Sequence, residues 1–191
     1  VFQHLCSLYP DFKYGLSVTY RMNDVITNVV SKNFYEPYGE KLIASDFSKE
    51  RRLNLHSESE NSDIRKVFND PSPLTICNAT FDNTWEDENP EEGVFIASLV
   101  QEAVKLKIDM KDVAVITPYR RQVKNIRASI ADCLGDGFDM PLIDTVERLQ
   151  GQDVDLIIIS FCASNPVFFN KNKDFLLNPN RMNVMISRAK K

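Results

Sequence analysis

The sequence predicts an α/β layered domain. Short apolar runs alternate with segments of helical periodicity, the runs are rich in β-branched residues, and "VDLIIISFCAS" is too continuously apolar to face water on either side. Strands of that kind, separated by helices, make a mostly parallel sheet with helices on both faces. The 191 residues, 43% hydrophobic and 26% charged, suffice for one domain with a real core, and residues 1–191 are read as that single domain.

The elements follow in chain order. "VFQHLCSLYP" reads as a helix already under way at Val1, and the chain stops within its final helical pattern, so a piece of a longer protein is expected. "LSVTY" (Leu16 to Tyr20) is a strand, and "NDVITNVVSKNFY" a helix capped by Asn23 or Asp24. Residues 36–73, with the charge-rich "SKERRLNLHSESENSD", and the acidic stretch 82–92 read as solvated loops. Between them "PLTICNA" is a second strand. "EEGVFIASLVQEAVKL" has helical spacing, with Glu91 and Glu92 suited to its positive end. "DVAVITP" is a strand ended by Pro118, and "YRRQVKNIRASIADCL" an amphipathic helix. "PLIDTV" and "VDLIIISFCAS" are further strands. The chain loops through "NPVFFNKNKDFLLNP" into "NRMNVMISRAKK", whose Met182, Met185, Ile186 and Ala189 form an apolar stripe beside Arg181 and Arg188. No internal repeat is present.

Bulk properties narrow the function classes. The net charge of −4 does not mark a basic nucleic-acid binder, although overall charge governs solubility and steering rather than the content of one cleft. Cys6, Cys77, Cys133 and Cys162 form no CxxC pair or Cys/His cluster, and reduced, buried thiols are expected. The apolar runs are too short to span a bilayer and no signal peptide opens the chain, which predicts an intracellular protein with no membrane partner.

Ligands of such sheets bind at the carboxyl ends of strands. The segments there are "TYRMN", "TPYRRQ", "DTVERLQGQD" and, through the last loop, "NRMNVMISRAKK". Arginines in these segments fit either a solvated surface or a phosphate. The six glycines form no GxxxxGK[ST] loop, so the chain has no phosphate cradle of its own, and no strand ends in the paired acids that hold a magnesium-bound water. Arginines without a cradle suit a domain that completes another domain's nucleotide site. Asp144, Asp153 and Asp155 leave a second chemistry open, a divalent ion in a nuclease or phosphatase.

In order and spacing, the four segments resemble the second RecA-like motor domain of superfamily 1 helicases, in the branch of the nonsense-mediated-decay RNA helicase and the replication helicase-nuclease. That family runs roughly L-x-x-Q-Y-R-M, T-P-Y-x-x-Q, T-V-[DE]-x-[FY]-Q-G-x-[ED] and R-R-[LM]-N-V-x-[IL]-[ST]-R-A-[KR]. Here the segments stand as "LSVTYRM", "TPYRRQ", "TVERLQGQD" and "NRMNVMISRAK". Thr19 replaces the usual glutamine, Asn180 the first arginine of a pair, and Asp153 the commoner glutamate.

The resemblance implies a RecA-like, P-loop-type fold and ATP with Mg2+ held mainly by an N-terminal RecA-like domain of the same protein. It implies single-stranded DNA or RNA as the track, with 5′-to-3′ movement. Arg21 and Arg188 would be arginine fingers, since a guanidinium stays charged and donates two hydrogen bonds to phosphate oxygens. Tyr20 would face the nucleotide unless it is a core tyrosine. Asp153 would accept from the ribose hydroxyls, Gly151 would permit close approach and Gln150 would hold that loop. Arg181 would support the cleft as much as the ligand. Thr117, Thr145 and Arg120 would meet the nucleic-acid backbone, or else cap strands and line a polar helix face. The alternative to a motor is a helicase-derived binding module for nucleic acid or protein.

Overall fold

The computed structural model describes residues 2–9, 11, 15–81, 83–135, 137–149 and 151–191. At its centre is β3 (Val113–Ile116), whose four side chains are fully buried. It pairs in parallel with β4 (Leu142–Asp144) on one side and β5 (Leu156–Ile159) on the other, Val115 lying opposite Ile143 and Ile158. A β-branched, all-apolar strand is stable there because both of its faces are covered.

One face carries α4 (Pro90–Lys105) and α5 (Arg120–Leu134), which bury Ile96, Val100, Ile126 and Ile130 against Val113, Val115 and Ile143. The other face packs Ala114 and Ile116 against Val146, Leu149, Val154 and Met185. The domain is therefore α/β and three-layered, with parallel strands flanked by helices. A third cluster joins Met22, Ile26 and Val30 to Ile186 and Ala189, tying the first third of the chain to its last turn.

The chain opens with α1 (Phe2–Leu8), and the capping of later helices follows the sequence closely. The Asn23 side chain accepts from the Ile26 amide at the start of α2 (Asp24–Val30), and Asn89 accepts from Glu92 at the start of α4, where Pro90 opens the first turn. Helix α2 widens into a π turn over Ser31–Tyr35, where the Ser31 hydroxyl donates to Glu36 and accepts from the Leu42 amide.

Several expectations are corrected. The strand expected over Leu16 to Tyr20 shrinks to β1 (Val18–Thr19), paired in parallel with β2 (Ile43–Ala44). The supposed loop 36–73 thus contains a strand, and also α3 (Ser62–Asn69), which buries Ile64 and Phe68 one turn apart beneath a polar face. The "PLTICNA" segment forms no ladder among the described residues. It runs beside the outer edge of β5, across a cavity of about 950 Å³ that Leu74, Ile76, Phe81, Ile157 and Ile159 help to line. With that edge uncovered, the side chains of β5 are half-buried rather than enclosed on both faces.

The segment read as a loop before the final helix holds α6 (Pro166–Leu176), and the final helix α7 is only Pro179–Ile186. Each is opened by an Asn-Pro pair in which the asparagine caps and the proline takes the first helical position. That signal was present in the sequence. Arg188 lies past the end of α7, and Ala189 pairs in parallel with Val154 instead of continuing a helical stripe. Of the thiols expected to be buried, only Cys162 is. Cys77 and Cys133 are exposed, and the Cys6 side chain lies outside the described residues. Among the described residues no helix is long and apolar enough to cross a membrane.

Candidate nucleotide and nucleic-acid site

Arg21 leaves the turn that follows β1. The turn is held by the Thr19 hydroxyl, which accepts from the Arg21 amide at 3.3 Å, and by Arg51, whose Nη1 donates to the Arg21 carbonyl at 2.9 Å. The threonine that stands in place of glutamine is thus a backbone tie. Across the cleft, Arg21 Nη1 donates to the Ser187 carbonyl at 3.1 Å. This carbonyl sits at the negative end of α7, where a cation is favoured. The chain then turns, and Arg188 comes beside Arg21.

One carboxylate joins them. Asp153 Oδ1 is 2.5 Å from Arg21 Nε and 4.0 Å from Arg188 Nη1. The Asp153 side chain is 40% exposed while those of Arg21 and Arg188 are 33% and 16% exposed, so the guanidiniums line a crease with the acid at its lip. Burial first, and then the nearby Arg21 charge, pull Arg188 below the ordinary arginine value, against the opposing pull of Asp153. Two cations against one anion leave the cluster positive, and among the described residues the Nε atoms of Arg21 and Arg188 are both buried without a hydrogen-bond partner. That donor set fits a phosphate.

The neighbouring expected residues are near this crease in unequal ways. Gly151, at φ +90°, makes the left-handed turn that leads into Asp153, a conformation costly for any residue with a Cβ. Tyr20 is 69% exposed, so it is no core tyrosine. Gln150 lies outside the described residues. Arg181 is held apart from the pair: its Nη2 meets Glu147 at 2.9 Å and its guanidinium lies 3.9 Å from the centre of the Phe175 ring. Arg181 and Arg188, seven residues apart, thus have different surroundings.

The residues expected at nucleic acid sit on the adjacent strand ends. Ile116 and Asp144 are in register, which places Thr117 beside Thr145, and both threonines are buried. Arg120 is exposed and has no ion pair among the described residues. Its neighbour Arg121 pairs with Asp87 and Glu88, and so draws the acidic stretch down onto the start of α5. The three aspartates weighed for a metal are each engaged by different cations: Asp144 by Arg148, Asp153 by Arg21, and Asp155 by Lys190 and Lys191. They do not converge.

Sequence reasoning missed the polar network beneath these strand ends. Gln122, fully buried, accepts from the Asn89 amide at 2.8 Å and donates to Ser160 at 3.1 Å. Glu92 also reaches Ser160 and the backbone of Phe161 and Cys162, and burial pushes its carboxyl above the usual range. The neighbouring Cys162 thiol is pushed up as well, by burial and then by Glu92. For Glu92 the sign is clear. A raised folded-state value favours the neutral form, so its contribution to stability is present below the ordinary value of 4.5 and is lost as pH rises through the folded value. Glu92→Gln should therefore be more stable than the parent at pH 7 and gain nothing below pH 4.5. Denaturant melts of both proteins across that range check this, and a constant difference between them would contradict it.

Comparison with known proteins agrees with the fold. The family described as "AAA domain" matches residues 1–191. The chain is 31% identical over 197 residues to an uncharacterized ATP-dependent helicase of Methanocaldococcus jannaschii, an alignment spanning 100% of this chain and 27% of that protein. It is 29% identical over 188 residues to the DNA polymerase alpha-associated DNA helicase A of Schizosaccharomyces pombe, spanning 92% and 26%. It is 30% identical over 199 residues to the human DNA replication ATP-dependent helicase/nuclease DNA2, spanning 92% and 18%. The chain thus covers well under two thirds of each relative's length. With its whole length matched, the chain belongs to the AAA domain family and is a helicase-type member of it.

Proposed function

We propose that this chain is the second motor domain of an ATP-dependent helicase, supplying Arg21 and Arg188 to ATP whose phosphates and Mg2+ are cradled by a preceding motor domain. The observation that carries the reading is the pair of guanidiniums, brought from opposite ends of the chain into one crease around a single carboxylate oxygen. ATP, when bound, supplies the phosphoanhydride bond whose cleavage drives the cycle.

The chain's own residues hold and orient. Arg188 and Arg21 neutralise charge on the terminal phosphate, Arg21 fixed by the Ser187 carbonyl. Tyr20 offers an exposed ring to the base or sugar, the turn at Gly151 and the Asp153 that follows border the ribose, and Gln150 is assigned to the same loop from its place in the sequence. Arg181 braces the cleft through Glu147 and Phe175. Arg120 faces solvent for a strand of DNA or RNA, and the buried Thr117 and Thr145 stand at the adjoining strand ends for its backbone. Closing the cleft on ATP moves one motor domain past the other, and so along the strand.

The purified 191-residue chain should show no appreciable ATPase, because it has no Walker A loop. The full-length protein should show strand-stimulated ATPase, with DNA and RNA compared as activators. Robust turnover by the chain alone would refute the assignment, and a full-length protein without turnover would favour the binding-module reading.

A further inference from the structure

We propose that Asp153 is a positioning residue, a resident anion that holds Arg21 and Arg188 side by side until a phosphate takes its place. The inference rests on the reading of those arginines as the phosphate seat, and it goes beyond the ribose contact expected of Asp153.

Two guanidiniums that share a crease repel one another, and burial increases the cost by removing water. Oδ1 of Asp153 lies between them, in contact with Arg21 and at the outer limit of an ion pair with Arg188. Its backbone is well placed to hold it there. Val154, the next residue, is locked in a two-sided ladder with the residues around Arg188: the Val154 amide donates to the Arg188 carbonyl and the Lys190 amide to the Val154 carbonyl. Arg21 is in turn tied to the Ser187 carbonyl. The acid and both cations therefore belong to one small assembly, joined through residues 153–154 and 187–190 and spanning three of the four strand-end segments.

The asymmetry of the contacts suggests how the acid leaves. Asp153 is the most exposed of the three side chains, and its second oxygen makes no ion pair among the described residues. Arg188 is the most buried, and among the described residues its Nε has neither a hydrogen bond nor the ion pair that Arg21 Nε makes with Asp153. A phosphate has more oxygens than one carboxylate and can engage both guanidiniums and the vacant Nε, whereas the carboxylate serves Arg188 only weakly. The carboxylate thus competes with phosphate for the same donors. It keeps the arginines ordered at the cost of some intrinsic anion affinity, because the free pair is only a fraction of the population.

The test uses the 191-residue chain and tripolyphosphate, which lacks a ribose, with binding followed by calorimetry and by the arginine Nε–H resonances. Asp153→Asn should bind tripolyphosphate about threefold or more tightly than the parent. Asp155→Asn removes the same charge two residues away, from an acid that faces Lys190 and Lys191, and should show no such gain. Asp153→Glu, which restores the carboxylate, should return to the parent affinity. In the parent itself tripolyphosphate should shift the Asp153 carboxyl carbon resonance and not that of Asp155, a readout that does not depend on any variant folding. Equal affinities for the two asparagine variants, or an unmoved Asp153 resonance, would overturn the role of Asp153. If Arg188→Ala placed in the Asp153→Asn background binds as tightly as Asp153→Asn alone, the arginines are not the phosphate seat, and the failure belongs to the proposed function instead.

Discussion

Arg188→Ala in the full-length protein is expected to lower the rate of ATP turnover by roughly a thousand-fold or more while ATP binding is largely kept. The reason lies in where Arg188 acts. A side chain that meets charge as it develops in the transition state lowers the barrier more than it strengthens ground-state binding. The guanidinium is suited to this by burial, by the unspent Nε, and by a partner carboxylate at 4.0 Å that engages it loosely. Stability should change little, since among the described residues the Arg188 Nε has no hydrogen-bond partner and its ion pair, to Asp153, is at 4.0 Å. Single-turnover kinetics beside equilibrium binding of a non-hydrolysable ATP analogue would separate the two effects. Near-normal hydrolysis would mean that Arg188 is not an arginine finger.

Gln122→Leu is expected to do the reverse, destabilising the fold by about 2–3 kcal/mol without removing any group from the crease. The glutamine amide is fully buried and bridges three elements: the cap of α4 through the Asn89 amide, α5 through Asn125, and the end of β5 through Ser160. Leucine has similar volume, so the packing term is small. The cost comes from the Asn89 amide, which loses its acceptor in a site water does not reach. For a domain of this size a loss of that order lowers Tm by about 5–10 °C. Thermal melts of the chain check it, and an unchanged Tm would show that the network contributes little. Arg188 and Gln122 both belong to the segments that carry the family resemblance, yet one acts on a ligand and the other on the fold.

Much of the architecture could be read along the chain. The run Val113–Ile116, the periodicity of α4 and α5, and the caps at Asn23 and Asn89 are local signals, and local signals settle local structure. The failures share a cause. "PLTICNA" has the composition of a strand, but a strand exists only when a neighbouring backbone offers a ladder, and here a cavity separates it from β5. β2 is two residues long, too short for any period to show, and it is a strand because β1 lies beside it. Helix α6 was hidden for a different reason. Its Asn-Pro opening was visible, but the polar run Asn170–Asp174 splits the apolar residues on either side of it.

The site divides in the same way. By itself the sequence determined the candidates: arginines after strands, with no GxxxxGK[ST] loop among 191 residues, are a property of composition and order. Only the tertiary structure decided how those residues differ. It ended α7 at Ile186, turned Arg188 toward Arg21, set Asp153 between them and left Arg181 to Glu147 and Phe175. A helical repeat relates residues a few positions apart, whereas Arg21 and Arg188 are brought together by the packing of Met22 and Ile26 against Ile186 and Ala189. No pattern along the chain encodes that contact, because it forms only when both ends of the domain close over the same core.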